Sequence, residues 1–99
     1  MDDRTLVKIL KALADPVRFQ VVQAIDRSPT GELNCGEVTG LFHLAQPTIS
    51  HHLKILTDAG LVRMRTDGQH HFYSLDRAAL EQVVSLLPAR LNAKQRSHP

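Results

Sequence analysis

Near the start of the chain, apolar residues recur at Leu6, Ile9, Leu10 and Leu13, the i, i+3, i+4, i+7 spacing that lines one face of an α-helix. The stretch "ADP" interrupts this pattern, so the spacing predicts a first helix over about residues 4–14. Asp15 is a good N-cap and Pro16 suits the first helical position, which predicts a second helix from Pro16 to about Arg27 with Val17, Val21, Ala24 and Ile25 inward. "SPTG" ends it. Asn34 followed three residues later by Glu37 resembles a capping box and opens a short third helix that is expected to bury Val38, Leu41 and Phe42. After "HLA", Gln46 stands at the cap and Pro47 in the first turn of a fourth helix, about residues 47–59. Its apolar positions Ile49, Leu53 and Leu56 define a buried side as far as the terminating Gly60. The short connection between the third and fourth helices is a helix-turn-helix arrangement.

Beyond Gly60 the period shortens. "LVRMRT" and "HHFYSL" are β-rich runs on either side of Asp67-Gly68, a dipeptide suited to the positive φ of tight hairpins. They predict a two-stranded wing over residues 61–75. Asp76 caps a last helix, about 76–91, in which Leu80, Val83, Val84, Leu87 and Leu91 form a stripe that passes Pro88 only if the helix bends there. The polar tail 92–99 is expected to fray. The result is one domain over residues 1–99, mainly α with a two-stranded β wing, in the order α-α-α-α-β-β-α.

A chain of 99 residues hides only about 60 to 65% of its unfolded surface. Such a core is small, and a partner subunit would help cover it. Apolar residues make up 42% of the chain and charged residues 22%, which argues against wholesale disorder. The formal charge is only +2, but the pI is about 9.0 and six histidines can add positive charge beside an anion. The start "MDDRTLVKIL" lacks the pattern of a secretory signal, no apolar run approaches membrane-spanning length, and Cys35 stands alone. We expect a cytoplasmic protein that uses no membrane and has no intrachain disulfide.

The fourth helix carries the chemistry. At 100° per residue, the sector opposite Ile49, Leu53 and Leu56 holds Pro47, His51, Lys54 and Asp58, with Thr48 and Ser50 on its flanks and His52 beside the buried stripe. A helix start bearing Gln46, Thr48, Ser50, His51 and Lys54 suits the major groove, where amides and hydroxyls bond base edges and the helix N-terminus faces phosphates. Taken singly, Thr48 or Ser50 reads more simply as a helix cap, and His52 as a packed or phosphate-touching histidine. Arg63 and Arg65 share one face of the first wing strand and, with Gln69 and His70 near the tip, are placed to approach phosphates or the minor groove. A solvated strand face explains those two arginines equally well.

The stretches "LADPVR", "QPTISHHLKILTDAGLV" and "DGQHHFYSLD" resemble, in this order, the ArsR/SmtB family of small bacterial winged-helix repressors from Leu6 to Leu87. The resemblance implies a homodimer paired through its first and last helices, with Leu6, Ile9, Leu10, Leu13, Leu80, Val83, Val84 and Leu87 as interface positions. It also implies that the dimer binds double-stranded operator DNA through Gln46, Thr48, Ser50 and His51, uses residues 63 to 72 as a wing, and releases DNA on a chemical signal.

The family's metal-sensing patterns are where this sequence departs. A soft-metal site on the third helix needs Cys-x-Cys, but here "ELNCGEV" leaves Cys35 with Leu33 and Glu37 two positions away. The zinc pattern of the last helix needs Asp-x-His and later ligands, yet Asp76 is followed by Arg77 and Ala78, with no histidine before His98. The expectation is therefore no metal and no cofactor. Cys35, beside a helix start, is a candidate for reversible oxidation, although a lone half-buried cysteine is more often packing. His51-His52 and His70-His71 diverge on a helix and a strand respectively, so neither pair chelates easily. Ser50 beside His51 lacks a third orienting group, which argues against an enzyme. A winged helix used as a protein-interaction module would show an apolar recognition face, where only Ile55 is placed.

Overall fold

A computed structural model describes residues 1–91. Five helices and three strands follow one another as α1 (Asp3–Leu13), α2 (Pro16–Arg27), β1 (Glu32–Asn34), α3 (Cys35–Phe42), α4 (Gln46–Asp58), β2 (Val62–Asp67), β3 (His70–Leu75) and α5 (Arg77–Arg90). The fraying expected of the tail from residue 92 lies outside the described residues.

Local chemistry sets most of these boundaries. Asp2, Asp15, Asn34 and Asp76 each accept a hydrogen bond from the N–H three residues on, at the starts of α1, α2, α3 and α5. At α3 the Glu37 carboxylate also accepts from the Asn34 N–H at 2.9 Å, closing the capping box that the sequence suggests. The α3 helix stops where His43 takes a left-handed conformation, φ 53°. In α5 the helix runs through Pro88 to Arg90, and Leu91, the last residue of the apolar stripe, is its C-cap.

The core is apolar throughout, with no buried polar or charged side chain among the described residues. Ile49, Leu53 and Leu56 of α4 are fully enclosed, as the sequence predicts, together with Val21, Ile25, Val38 and Leu61. Each such side chain contributes about 1.5–3 kcal/mol, so α4 is seated firmly against α1, α2, α3 and β2. Val22 joins the core while Val17 and Ala24 are only half-buried. Leu41, expected inside, is 56% exposed. The left-handed turn at His43 returns Leu44 to the core in its place.

The sheet has the order β1-β3-β2, so the wing is three-stranded at its base. The third strand is a departure from the two expected: Glu32, Leu33 and Asn34 pair antiparallel with Ser74, Tyr73 and Phe72. In the hairpin, Asp67 pairs with His70, which leaves Gly68 and Gln69 as the loop. Gly68 at its first position has φ +62°, the region a two-residue hairpin of this kind demands and only glycine enters freely. Leu33, Tyr73, Leu75 and Val62 turn toward the core, and Glu32, Arg63, Arg65 and Phe72 share the opposite face.

Candidate nucleic-acid interface

The turn from α3 into α4 places the start of α4 at the surface. Gln46, Pro47, Thr48, Ser50, His51 and Lys54 are all exposed, while every third or fourth residue between them is closed into the core. Ala45, not Gln46, is the N-cap, and no side chain caps this helix, unlike the other four. The physical reason is Pro47: with a proline in the first turn, one amide needs no acceptor, and the Ala45 carbonyl accepts from Thr48 and Ile49 at 3.0 and 3.1 Å. Gln46 is thereby displaced one position into the helix, its side chain free of any capping duty. Lys54 forms an ion pair at 3.1 Å with Asp58 one turn on, an exposed contact worth little in stability.

The wing flanks this helix. Arg63, Arg65, Gln69 and His70 are exposed, but the two arginines are engaged. Arg65 donates from Nε and a terminal nitrogen to both carboxylate oxygens of Glu32, at 2.6 and 2.8 Å. Its guanidinium lies 4.4 Å from the centroid of Phe72, the residue opposite it in the ladder. The pairing holds the Glu32 carboxyl below, and the Arg65 guanidinium above, the ordinary value of each. Arg63 donates to Asp76 at 3.0 Å. The Asp76 carboxyl is lowered first by the Ala79 N–H and then by Arg63. The Arg65 pair reaches across β3 to tie β2 to β1, and the Arg63 pair ties β2 to the start of α5; neither is visible in the sequence, because Glu32 and Arg65 are brought together only by the strand β1.

A groove of about 300 Å³ lies where the three parts meet, lined by Asn34, Cys35, Gly36, Gln46, Gln69, His70 and His71. Cys35 is half-buried at the start of α3, with its sulfur 3.5 Å from the Ser50 hydroxyl. His71 turns its Nδ1 to the Met64 sulfur at 3.2 Å. His52 is half-buried and meets Arg18, a residue that spacing alone does not single out, at 3.3 Å. Arg18 belongs to the "LADPVR" stretch, and that conjunction is the one signal of it in the sequence.

The terminal helices also rearrange the interface positions. Leu6, Ile9 and Val83 are 5% exposed or less, because they close the chain's own core. Leu10, Leu13, Leu80 and Leu87 are half-buried, and Val84 is 65% exposed. Val7 on α1 and Leu91 after α5 also stand out to solvent. Ile55, the one apolar residue placed on the recognition side, is half-buried against the core, so that side of α4 remains polar. No described helix is long and apolar enough to cross a membrane.

Comparison with known proteins agrees with this geometry. A helix-turn-helix domain family matches residues 13–65. The chain is 36% identical over 96 residues to the arsenical resistance operon repressor of Staphylococcus aureus, covering 97% of this chain and 89% of that protein. It is 31% identical over 77 residues to the transcriptional repressor SdpR of Bacillus subtilis, covering 78% and 82%. The crystal structure of an ArsR family transcriptional regulator superposes with a TM-score of 0.80 over all of this chain and 98% of that one, at 24% identity, which is a likeness of fold. A polar helix start held out from a closed core, a wing beside it and these relatives lead to one conclusion: the chain belongs to the ArsR/SmtB family of winged helix-turn-helix, DNA-binding transcriptional repressors.

Proposed function

We propose that the protein is a homodimeric repressor that inserts α4 of each protomer into successive major grooves of an inverted-repeat operator. The observation that carries this reading is the division of α4: Ile49, Leu53 and Leu56 are fully enclosed while Gln46, Thr48, Ser50, His51 and Lys54 are all exposed. A helix anchored along one side cannot roll, so its amide, hydroxyl and imidazole groups are held toward base edges. Gln69 and His70 extend the same surface along the flanking backbone, with Arg63 and Arg65 on the wing face. Exposed Val7 and Val84 on the terminal helices support pairing through α1 and α5. The test is discrimination: Ser50→Ala and His51→Ala should each narrow the affinity gap between a selected duplex and a point-mutated copy. An unchanged gap in both variants would remove α4 from base readout.

Release follows a signal other than the family's metal chemistry. The Staphylococcus aureus relative is named for arsenical resistance, but two protomers of this chain supply only their Cys35 thiols. Tight soft-ion or zinc sites need three or four well-placed ligands. Arsenite, zinc or nickel at low micromolar concentration should leave DNA affinity unchanged in wild type and Cys35→Ser alike. Stoichiometric release from wild type alone would contradict this. Peroxide-driven release, reversed by reductant and dependent on Cys35, would make the sulfur near Ser50 the sensor.

A further inference from the structure

Three helices meet at one guanidinium. Arg18, in the first turn of α2, turns back so that its Nε donates to the Ala12 carbonyl at 2.7 Å and a terminal nitrogen to the Lys11 carbonyl at 3.4 Å. These are carbonyls of the last turn of α1, where the helix end attracts a cation; the Lys11 carbonyl also accepts from the Ala14 N–H at 3.2 Å. The remaining arm reaches Nδ1 of His52, on α4, at 3.3 Å. A guanidinium only donates. Nδ1 must therefore be the accepting lone pair, which makes the ring neutral and places its proton on Nε2. His52 sits between His51 and the enclosed Leu53, its ring 6.3 Å from that of His51. The Asp15 carboxylate caps α2 through the Arg18 N–H at 3.0 Å.

We propose that Arg18 is a positioning residue for DNA recognition: it fixes His52 as the neutral Nε2–H tautomer and pins the rotation of α4 against the end of α1. The contact lies beside Leu53, one turn from Ile49 and Leu56, and supplies the polar half of α4's anchorage. Apolar packing along one side already limits rolling of α4, and a directed bond from a planar fork fixes the rotation that remains. Ser50 and His51 stand on the same helix as His52, so fixing the rotation of α4 fixes the sector they face. Lysine cannot replace Arg18, since a single ammonium cannot reach two α1 carbonyls and the imidazole in one plane.

The inference rests on the DNA reading of α4, and its first test is independent of DNA. Nitrogen NMR of the free protein, above the imidazole's titration range, should show His52 with Nδ1 bare and Nε2 protonated and no admixture of the other tautomer, and the Nδ1–H form should appear as a minor population in Arg18→Lys. A protonated Nδ1 in wild type would overturn the proposal and leave the DNA reading intact. The second test uses a duplex selected from random sequence by the wild-type protein. His52→Leu and Arg18→Lys should each weaken binding about tenfold, the order expected of one charge-assisted hydrogen bond, and the double variant no further. His52→Asn keeps an acceptor near the Nδ1 position and should restore most of the affinity. If Asn rescues no better than Leu, or if Gln rescues and Asn does not, His52 acts by its own contact with DNA and the positioning role fails. Should Arg18→Lys not fold, the His52 series alone decides between these outcomes.

Discussion

Replacing Glu32 with Gln should free a cation at the DNA surface without removing any residue from it. In the wild type, both carboxylate oxygens of Glu32 are taken by Arg65 at 2.6 and 2.8 Å, and Phe72 lies under the same guanidinium at 4.4 Å. A phosphate approaching Arg65 must therefore compete with a carboxylate already in bidentate contact, and that carboxylate also repels the phosphate. Glu32→Gln keeps the side-chain shape, leaves Arg65 stacked on Phe72 and deletes the competing charge. Each additional phosphate neutralised steepens the plot of log affinity against log salt by about 0.9. Over a fourfold change in salt that corresponds to about a 3.5-fold change in affinity beyond the wild-type dependence. Fluorescence anisotropy on a selected and a scrambled duplex, at four salt concentrations, measures both slopes. The two should steepen together, with low-salt affinity raised alike, since phosphates carry no sequence. Arg65→Ala should change the slope by less than Glu32→Gln, because its charge is already matched. A Glu32→Gln slope equal to wild type would mean that Arg65 does not reach the backbone, and the wing would have to be redrawn without it.

Two further outcomes follow from burial and from charge. Val84→Glu places a charge on an exposed position of α5 and should yield a folded monomer by sedimentation, whereas Val83→Glu, at a residue 5% exposed, should lower folding stability itself; a Val84→Glu dimer as tight as wild type would refute pairing through this face. The carboxyls of Asp2, Asp15, Asp76 and Glu32 are all held below their ordinary values by N–H donors and arginines, so the stability they give is complete above the unfolded-state values and lost as pH falls through the folded ones. The urea midpoint should fall steeply below about pH 4, with a shallower fall in Asp76→Asn; an identical fall would show that this cap is not responsible.

Helices that carry both a cap and a stripe are legible in the sequence. Asp15-Pro16 and the Asn34 and Glu37 box each combine a local backbone requirement with a one-sided pattern and appear in the fold; the Ile49, Leu53, Leu56 row appears by its stripe, while the cap expected at Gln46 falls instead at Ala45. The exposed face of α4 follows from the same arithmetic. Strand β1 does not announce itself, because three residues carry no period and its partner β3 lies some forty positions away. The misplacement of Leu41 has the same origin: α3 is too short for its last turn to be assigned a face before the His43 turn is known. Periodicity also cannot say which stripe residues close the chain's own core and which remain exposed. Leu6, Ile9 and Val83 prove to be of the first kind, and Val84 and Leu91 are left outside. The pairs Glu32–Arg65, Arg63–Asp76 and Arg18–His52 depend on elements distant in sequence meeting in space, so no reading of spacing reaches them.

The central claim is that α4 reads base sequence in a paired arrangement. Selection from a pool of random duplexes by the full chain, followed by sequencing of the retained DNA, tests it most directly. Two copies of α4 in successive major grooves predict enrichment of an imperfect inverted repeat with half-site centres roughly 34 to 36 Å apart. A pool bound throughout as tightly as any enriched sequence, at physiological salt, would contradict it.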